Sequence, residues 1–135
     1  AARLDIWARE DSAIIQQILP RFSILKRQAA GHSGEIQLIA ANIDYALILQ
    51  SVDRDFNINR MERYLTICYA AKVHPVVVLS KTDLLPFEGV HGLLEKIRSR
   101  IGYIPVLAIS SETHQGYDEL RSFIRKGKTY CLLGS

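Results

Sequence analysis

Cysteine is scarce in this chain and long apolar runs are missing, and each shortage excludes something. Cys68 and Cys131 are the only cysteines. They lie far apart, each in an apolar setting, which reads as two buried thiols in a reducing, cytoplasmic compartment and not as a disulfide framework. The longest apolar run, counting its proline, is Tyr103 to Ile109. A membrane span needs about 20 such residues, so none is expected. The opening Ala1-Ala2-Arg3-Leu4-Asp5 shows no charged region followed by an apolar stretch and a cleavage site, so no leader is read there. It also lacks an initial methionine, and the stretch is expected to begin inside a longer protein. His32, His74, His91 and His114 have no metal-ligand spacing with each other or with the cysteines, so they read as surface or loop residues. No general base or nucleophile stands out.

What is present describes a folded chain. Of its 135 residues, 48% are apolar and 23% charged, which excludes intrinsic disorder. The length suits one ordinary domain or two small ones. The net charge of +3 points only faintly to a polyanionic partner. The charge is uneven, however: Arg54, Arg60 and Arg63 crowd the middle, and Arg121, Arg125, Lys126 and Lys128 crowd the end. Such runs form either a solvated helix face or a contact with the phosphates of a nucleotide or RNA.

Two unequal parts are legible. Residues 1 to about 40 hold four short strand signals: Leu4-Ile6-Ala8, Ala13 to Leu19, Ile24 with Lys26, and Ile36 to Ala40. Gly31-His32-Ser33-Gly34 marks a turn. Without a helical period, this part reads as antiparallel β-structure, the remnant of a small barrel. From Ala41 to Ser135 the pattern changes. Tyr45 to Leu49, Pro75 to Leu79, Pro105 to Ile109 and Thr129 to Leu133 are short apolar strands. Ile58, Met61, Leu65 and Cys68 share one helical face, with Asn57 as the N-cap. Val90, Leu93, Leu94, Ile97 and Ile101 mark a second helix, and Tyr117, Leu120 and Ile124 a third, preceded by Gly116. Alternating strands and helices predict an α/β fold, with a partly parallel sheet covered by helices on both faces.

Ligands of such a sheet bind beyond the carboxyl ends of its strands. Three loops belong there: Ser80-Lys81-Thr82-Asp83, Ser110-Ser111-Glu112, and Gly134-Ser135. The Asp83 carboxylate can accept two parallel hydrogen bonds from the N1–H and N2–H of guanine, a donor pair that adenine lacks. A bidentate base contact is worth about 1–3 kcal/mol of discrimination. Lys81 can lay its alkyl stem along the base or ribose. Ser110 and Ser111 can offer backbone N–H groups to the guanine O6. A strand followed by Gly134 is how a phosphate-binding loop begins. Gly127-Lys128-Thr129 imitates the end of such a loop but precedes a strand instead of opening a helix.

These segments resemble the circularly permuted GTPase family represented by ribosome small subunit-dependent GTPase A. The resemblance runs from about Ala13 to Ser135. Pro20 to Arg27 resembles the end of the family's oligonucleotide-binding (OB) domain, and Ile39 to Asp44 its linker. Phe56-Asn57 through Leu65 resembles the first GTPase helix. Val76 to Leu84 resembles the guanine-specificity motif, with Ser80 in place of the usual Asn or Thr. Ile109-Ser110-Ser111 with Gly116 resembles the second base-contacting loop, and Lys126 to Thr129 with Leu132 to Ser135 the entry to the phosphate loop. The resemblance implies a P-loop GTPase-like fold and a chain cut at both ends. Residues 1–40 would be an OB-like, RNA-binding remnant and residues 41–135 the guanine-recognising half of the GTPase domain. It implies nucleotide-binding residues Ser80, Lys81, Thr82, Asp83, Ser110, Ser111, Gly134 and Ser135, with GTP or GDP as ligand. It also implies GTP hydrolysis coupled to maturation of the small (30S) ribosomal subunit, with ribosomal RNA as partner and no membrane. Mg²⁺ and a zinc-binding domain are implied only for the full-length parent, and the 135-residue piece by itself is expected to be inactive. The alternative is a non-catalytic RNA-binding or α/β interaction module, in which Trp7, Phe22 and Tyr45 stack bases instead of filling the core.

Overall fold

The fold is known from a computed structural model, which describes residues 2–6, 13–28 and 36–134. Trp7, Ala8, the turn Gly31 to Gly34 with His32, and Ser135 lie outside the described residues. The first part forms two antiparallel ribbons. In one, β1 (Ala2–Ile6) pairs with β2 (Ala13–Ile18). In the other, β3 (Ile24–Gln28) pairs with β4 (Ile36–Ala41), with a bulge between Leu25 and Lys26.

The second part is built on one parallel four-stranded sheet of order β7-β6-β5-β8. Its elements in chain order are β5 (Tyr45–Ser51), α1 (Ile58–Ala70), β6 (His74–Ser80), α2 (Phe87–Ile101), β7 (Val106–Ala108), α3 (Tyr117–Phe123) and β8 (Tyr130–Gly134). The β-branched run Val76-Val77-Val78 sits in β6, an inner strand, where pleated neighbours on both sides favour such side chains.

Each face of the sheet packs against helices. Ala46, Ile48, Val77, Leu79 and Leu133 face one core with Met61, Leu65 and Cys68 of α1 and Ile97 of α2. Leu47, Val76, Val78 and Leu107 face the other, against Leu120 and Phe123 of α3. The Asn57 side chain caps α1 by accepting the Arg60 N–H at 3.0 Å, as its position predicts.

Four particulars differ from the sequence reading. α3 ends at Phe123, so Phe123 packs on the sheet while Ile124 is 51% exposed. Leu132 of β8 is exposed, so the outer strand is not covered on both faces. Phe22 stands in solvent instead of filling the core, whereas Tyr45 is half-buried, packed against the second core and stacked on Tyr130 at 5.2 Å. Finally, the segment at 22–25 docks on the α/β part. Leu25 is fully buried in its core, and the Ser23 hydroxyl accepts the Ile43 N–H at 2.8 Å and donates to the Ile43 carbonyl at 3.0 Å.

Candidate functional site

Parallel strands put all their carboxyl ends on one rim. Ser51 and Ser80 are register partners, and so are Leu49 and Gly134, and Leu79 and Ala108. The loops after β6 and β7 therefore leave the edge at which β8 ends, and Asp83 is on the Gly134 side of the sheet. Hydrogen bonds stitch the loop after β6 to its neighbours. Val52 N–H donates to the Ser80 carbonyl at 3.1 Å, and Thr82 N–H to the Ile109 carbonyl at 3.2 Å.

Lys81 begins this loop in the left-handed region, at φ 60° and ψ 35°, and turns the chain into a short 3-10 segment, Thr82–Leu84. That turn leaves Asp83 exposed and Thr82 buried. The Thr82 hydroxyl finds no hydrogen-bond partner among the described residues. Asp83 accepts a hydrogen bond from the Ser110 hydroxyl at 2.5 Å. Ser110 is fully buried, and its oxygen also accepts the Thr113 N–H at 3.2 Å.

The two serines after β7 are placed differently. The Ser110 N–H donates to the Gln115 carbonyl at 3.1 Å, within its own loop. The Ser110 side chain instead meets Asp83. Ser111 is exposed, and its hydroxyl accepts from Tyr117 at 3.3 Å. Gly116 has φ 77°, and a Cβ there would collide with the Ala108 carbonyl, so only glycine lets the loop close against β7. Gly134 is similarly tight, since a Cβ would lie 2.8 Å from the Leu49 carbonyl. The Gly134 carbonyl accepts from the Tyr64 hydroxyl at 3.3 Å.

A fourth rim loop, after β5, adds a residue that the sequence reading did not single out. Asp53 receives the Lys81 ammonium at 2.7 Å. It also accepts the Ser51 hydroxyl at 2.7 Å and the Asp55 N–H at 3.1 Å. The Lys81 hydrogen bond, with those of Ser51 and Asp55, holds the Asp53 carboxyl well below its ordinary range. The same pairing raises the Lys81 ammonium above its usual value. The signal was available: the carboxyl-end rule applies to β5 as much as to β6, β7 and β8.

The basic runs are partly spent inside the protein. Lys128 pairs with Asp44 at 3.0 Å, and Asp44 also accepts the Thr129 N–H at 2.9 Å. Asp44 directly precedes β5, so Gly127-Lys128-Thr129 lies at the amino end of the sheet, away from the rim. Arg60 donates to the Asp55 carbonyl, and Arg121 pairs with Asp118 at 3.7 Å. Among the described residues no three His, Cys, Asp or Glu side chains converge. No described helix is long and apolar enough to cross a membrane.

The family model described as RsgA GTPase matches residues 18–135. A protein named small ribosomal subunit biogenesis GTPase RsgA from Methanosarcina acetivorans is 43% identical over 124 residues, covering 92% of this chain and 33% of the relative. One named small ribosomal subunit biogenesis GTPase RsgA 2 from Listeria monocytogenes is 35% identical over 123 residues, covering 91% and 34%. The chain thus spans about a third of the length of the curated relatives it matches. Among solved structures, YjeQ from Thermotoga maritima superposes with a TM-score of 0.70 at 24% identity, covering 92% of this chain and 41% of that one. YloQ, described as a circularly permuted GTPase, gives 0.58 at 18% identity, covering 95% and 54%. Both likenesses concern the fold.

Proposed function

Because the chain belongs to the RsgA GTPase family, we propose that it carries the guanine-recognising half of a GTP-binding and GTP-hydrolysing factor acting in biogenesis of the small ribosomal subunit. One observation carries the reading most directly. Asp83 stands exposed on the carboxyl rim, its carboxylate fixed by the buried Ser110 hydroxyl, with Lys81 two residues before it. A fixed carboxylate beside a lysine stem is what a guanine edge requires: two parallel acceptors for N1–H and N2–H, and an apolar surface for the ring. Ser111 supplies the amide toward O6, and Gly134 leads toward the phosphates, where tight backbone admits no side chain.

Hydrolysis of GTP is a matter of positioning and of stabilising charge on the transferred phosphoryl group. The described residues contribute base recognition to that chemistry, and the 135-residue stretch by itself is expected to turn over no GTP. Mg²⁺ belongs to the proposed activity of the protein at the length of its relatives. The ribbons β1 to β4 are read as OB-like structure that contacts ribosomal RNA, supported by the exposed Arg21, Lys26 and Arg27. A cytoplasmic site of action accords with that partner.

The test is Asp83→Asn in the protein as its gene encodes it, with GDP and xanthosine diphosphate in competition. An amide donates to the 2-oxo group of xanthine, so preference should move from GDP toward the xanthine nucleotide. Unchanged GDP preference would remove Asp83 from base recognition.

A further inference from the structure

Lys81 is long, and 58% of its side chain is exposed. A free lysine of that kind samples many rotamers, and ordering it carries an entropic cost. It is not free here. Its ammonium sits 2.7 Å from an Asp53 carboxylate that two further donors hold in place. Those donors, Ser51 at the end of β5 and the Asp55 backbone within the same loop, are local to Asp53. Ser51 is the register partner of Ser80, so the carboxylate is anchored on the strand beside the one that launches Lys81. The Lys81 backbone is fixed as well, by its left-handed conformation and by the flanking bonds of Ser80 and Thr82. Both ends of the side chain are thus defined: Cα by the turn, Nζ by Asp53.

We propose that Asp53 is a positioning residue for guanine-nucleotide recognition, holding the Lys81 stem ready as a surface for the purine ring. This rests on the reading of Lys81 and Asp83 as base contacts. Asp53 touches no base in this arrangement. Its contribution is to settle the lysine rotamer before the nucleotide arrives and to neutralise the ammonium, so that the alkyl stem is what the ring meets. A partly exposed ion pair contributes modestly.

The experiment is a double-mutant cycle on the gene-encoded protein, with Asp53→Asn, Lys81→Met and their combination, and fluorescent GDP as the probe. Asp53→Asn should weaken GDP binding by about two- to fivefold. Together with Lys81→Met it should add nothing, because the lysine it acts through is gone. No loss in the single variant, or an equal loss in both backgrounds, overturns the proposal, since a merely structural role would persist without the ammonium. If Asp53→Asn does not fold, Ser51→Ala replaces it in the cycle with the same expected outcomes, smaller in size. Asp83→Asn is run alongside with xanthosine diphosphate. If Asp83→Asn alters base preference while the cycle is additive, the positioning role fails and the base contact stands. If Asp83→Asn changes nothing, the base contact itself fails and takes the positioning role with it.

Discussion

The Ser110 hydroxyl, with no solvent exposure, donates at 2.5 Å to the carboxylate of Asp83, which is exposed. A buried donor on the β7 loop thus sets the orientation of an acid on the β6 loop. Ser110→Ala removes that donor and also leaves the Thr113 N–H without its acceptor. The loss of one such bond is about 1 kcal/mol, so GDP affinity should fall by roughly fivefold. Isothermal titration checks it, and an unchanged affinity would mean that the serine does not organise the acid.

Two glycines should respond with opposite sign. Gly116 has φ 77° and faces the Ala108 carbonyl, so Gly116→Ala should destabilise by at least about 1–3 kcal/mol from backbone strain, before any steric cost. Gly92 lies inside α2 with open space where a Cβ would stand, so Gly92→Ala should stabilise by about 0.5–1 kcal/mol. Urea unfolding of both variants decides the matter.

Cys68 is fully buried, and burial, with the neighbouring Cys131, pushes its thiol up to about 12 from an ordinary 9.0. The folded state therefore keeps a proton that the unfolded state releases. Stability should be full below about pH 9 and decline between 9 and 12, by at most about 1.4 kcal/mol per pH unit from this group. At pH 8 a thiol reagent should label Cys68 slowly in the native protein and rapidly in urea. Equal rates would place Cys68 in solvent.

On the acid side the sign reverses. Asp44 lies below its ordinary 3.8, first through the Thr129 N–H and then through Lys128. Asp53 is lowered as well, first through Lys81. Both contribute stability that is complete above about pH 4 and is lost as pH falls through their lowered folded values. Asp44→Asn should flatten the fall in urea midpoint between pH 4 and pH 2, and an identical slope would deny Asp44 any share of it.

Much of this protein was legible as local pattern. The apolar runs from Tyr45, Pro75, Pro105 and Thr129 were readable as strands because side-chain period and strand length are properties of adjacent residues. The cap at Asn57 and the α1 face of Met61, Leu65 and Cys68 followed from helical spacing alone. The Ser80 to Asp83 and Ser110-Ser111 loops were readable as rim loops because parallel strands share one carboxyl end. The α3 boundary was missed by one residue, because Phe123 and Ile124 are equally apolar in sequence and only packing against Tyr45 and Tyr130 selects between them.

The sequence by itself determined the order of strands and helices, the rim on which the acid stands, and the family resemblance carried by those loops. Only the tertiary structure decided that Ser110 spends its amide on Gln115 and its hydroxyl on Asp83, and that Asp53 meets Lys81. The reason is distance along the chain. These partners are brought together by the lateral register of β5, β6 and β7, and a register is set by how whole strands pack, which no short stretch of residues encodes.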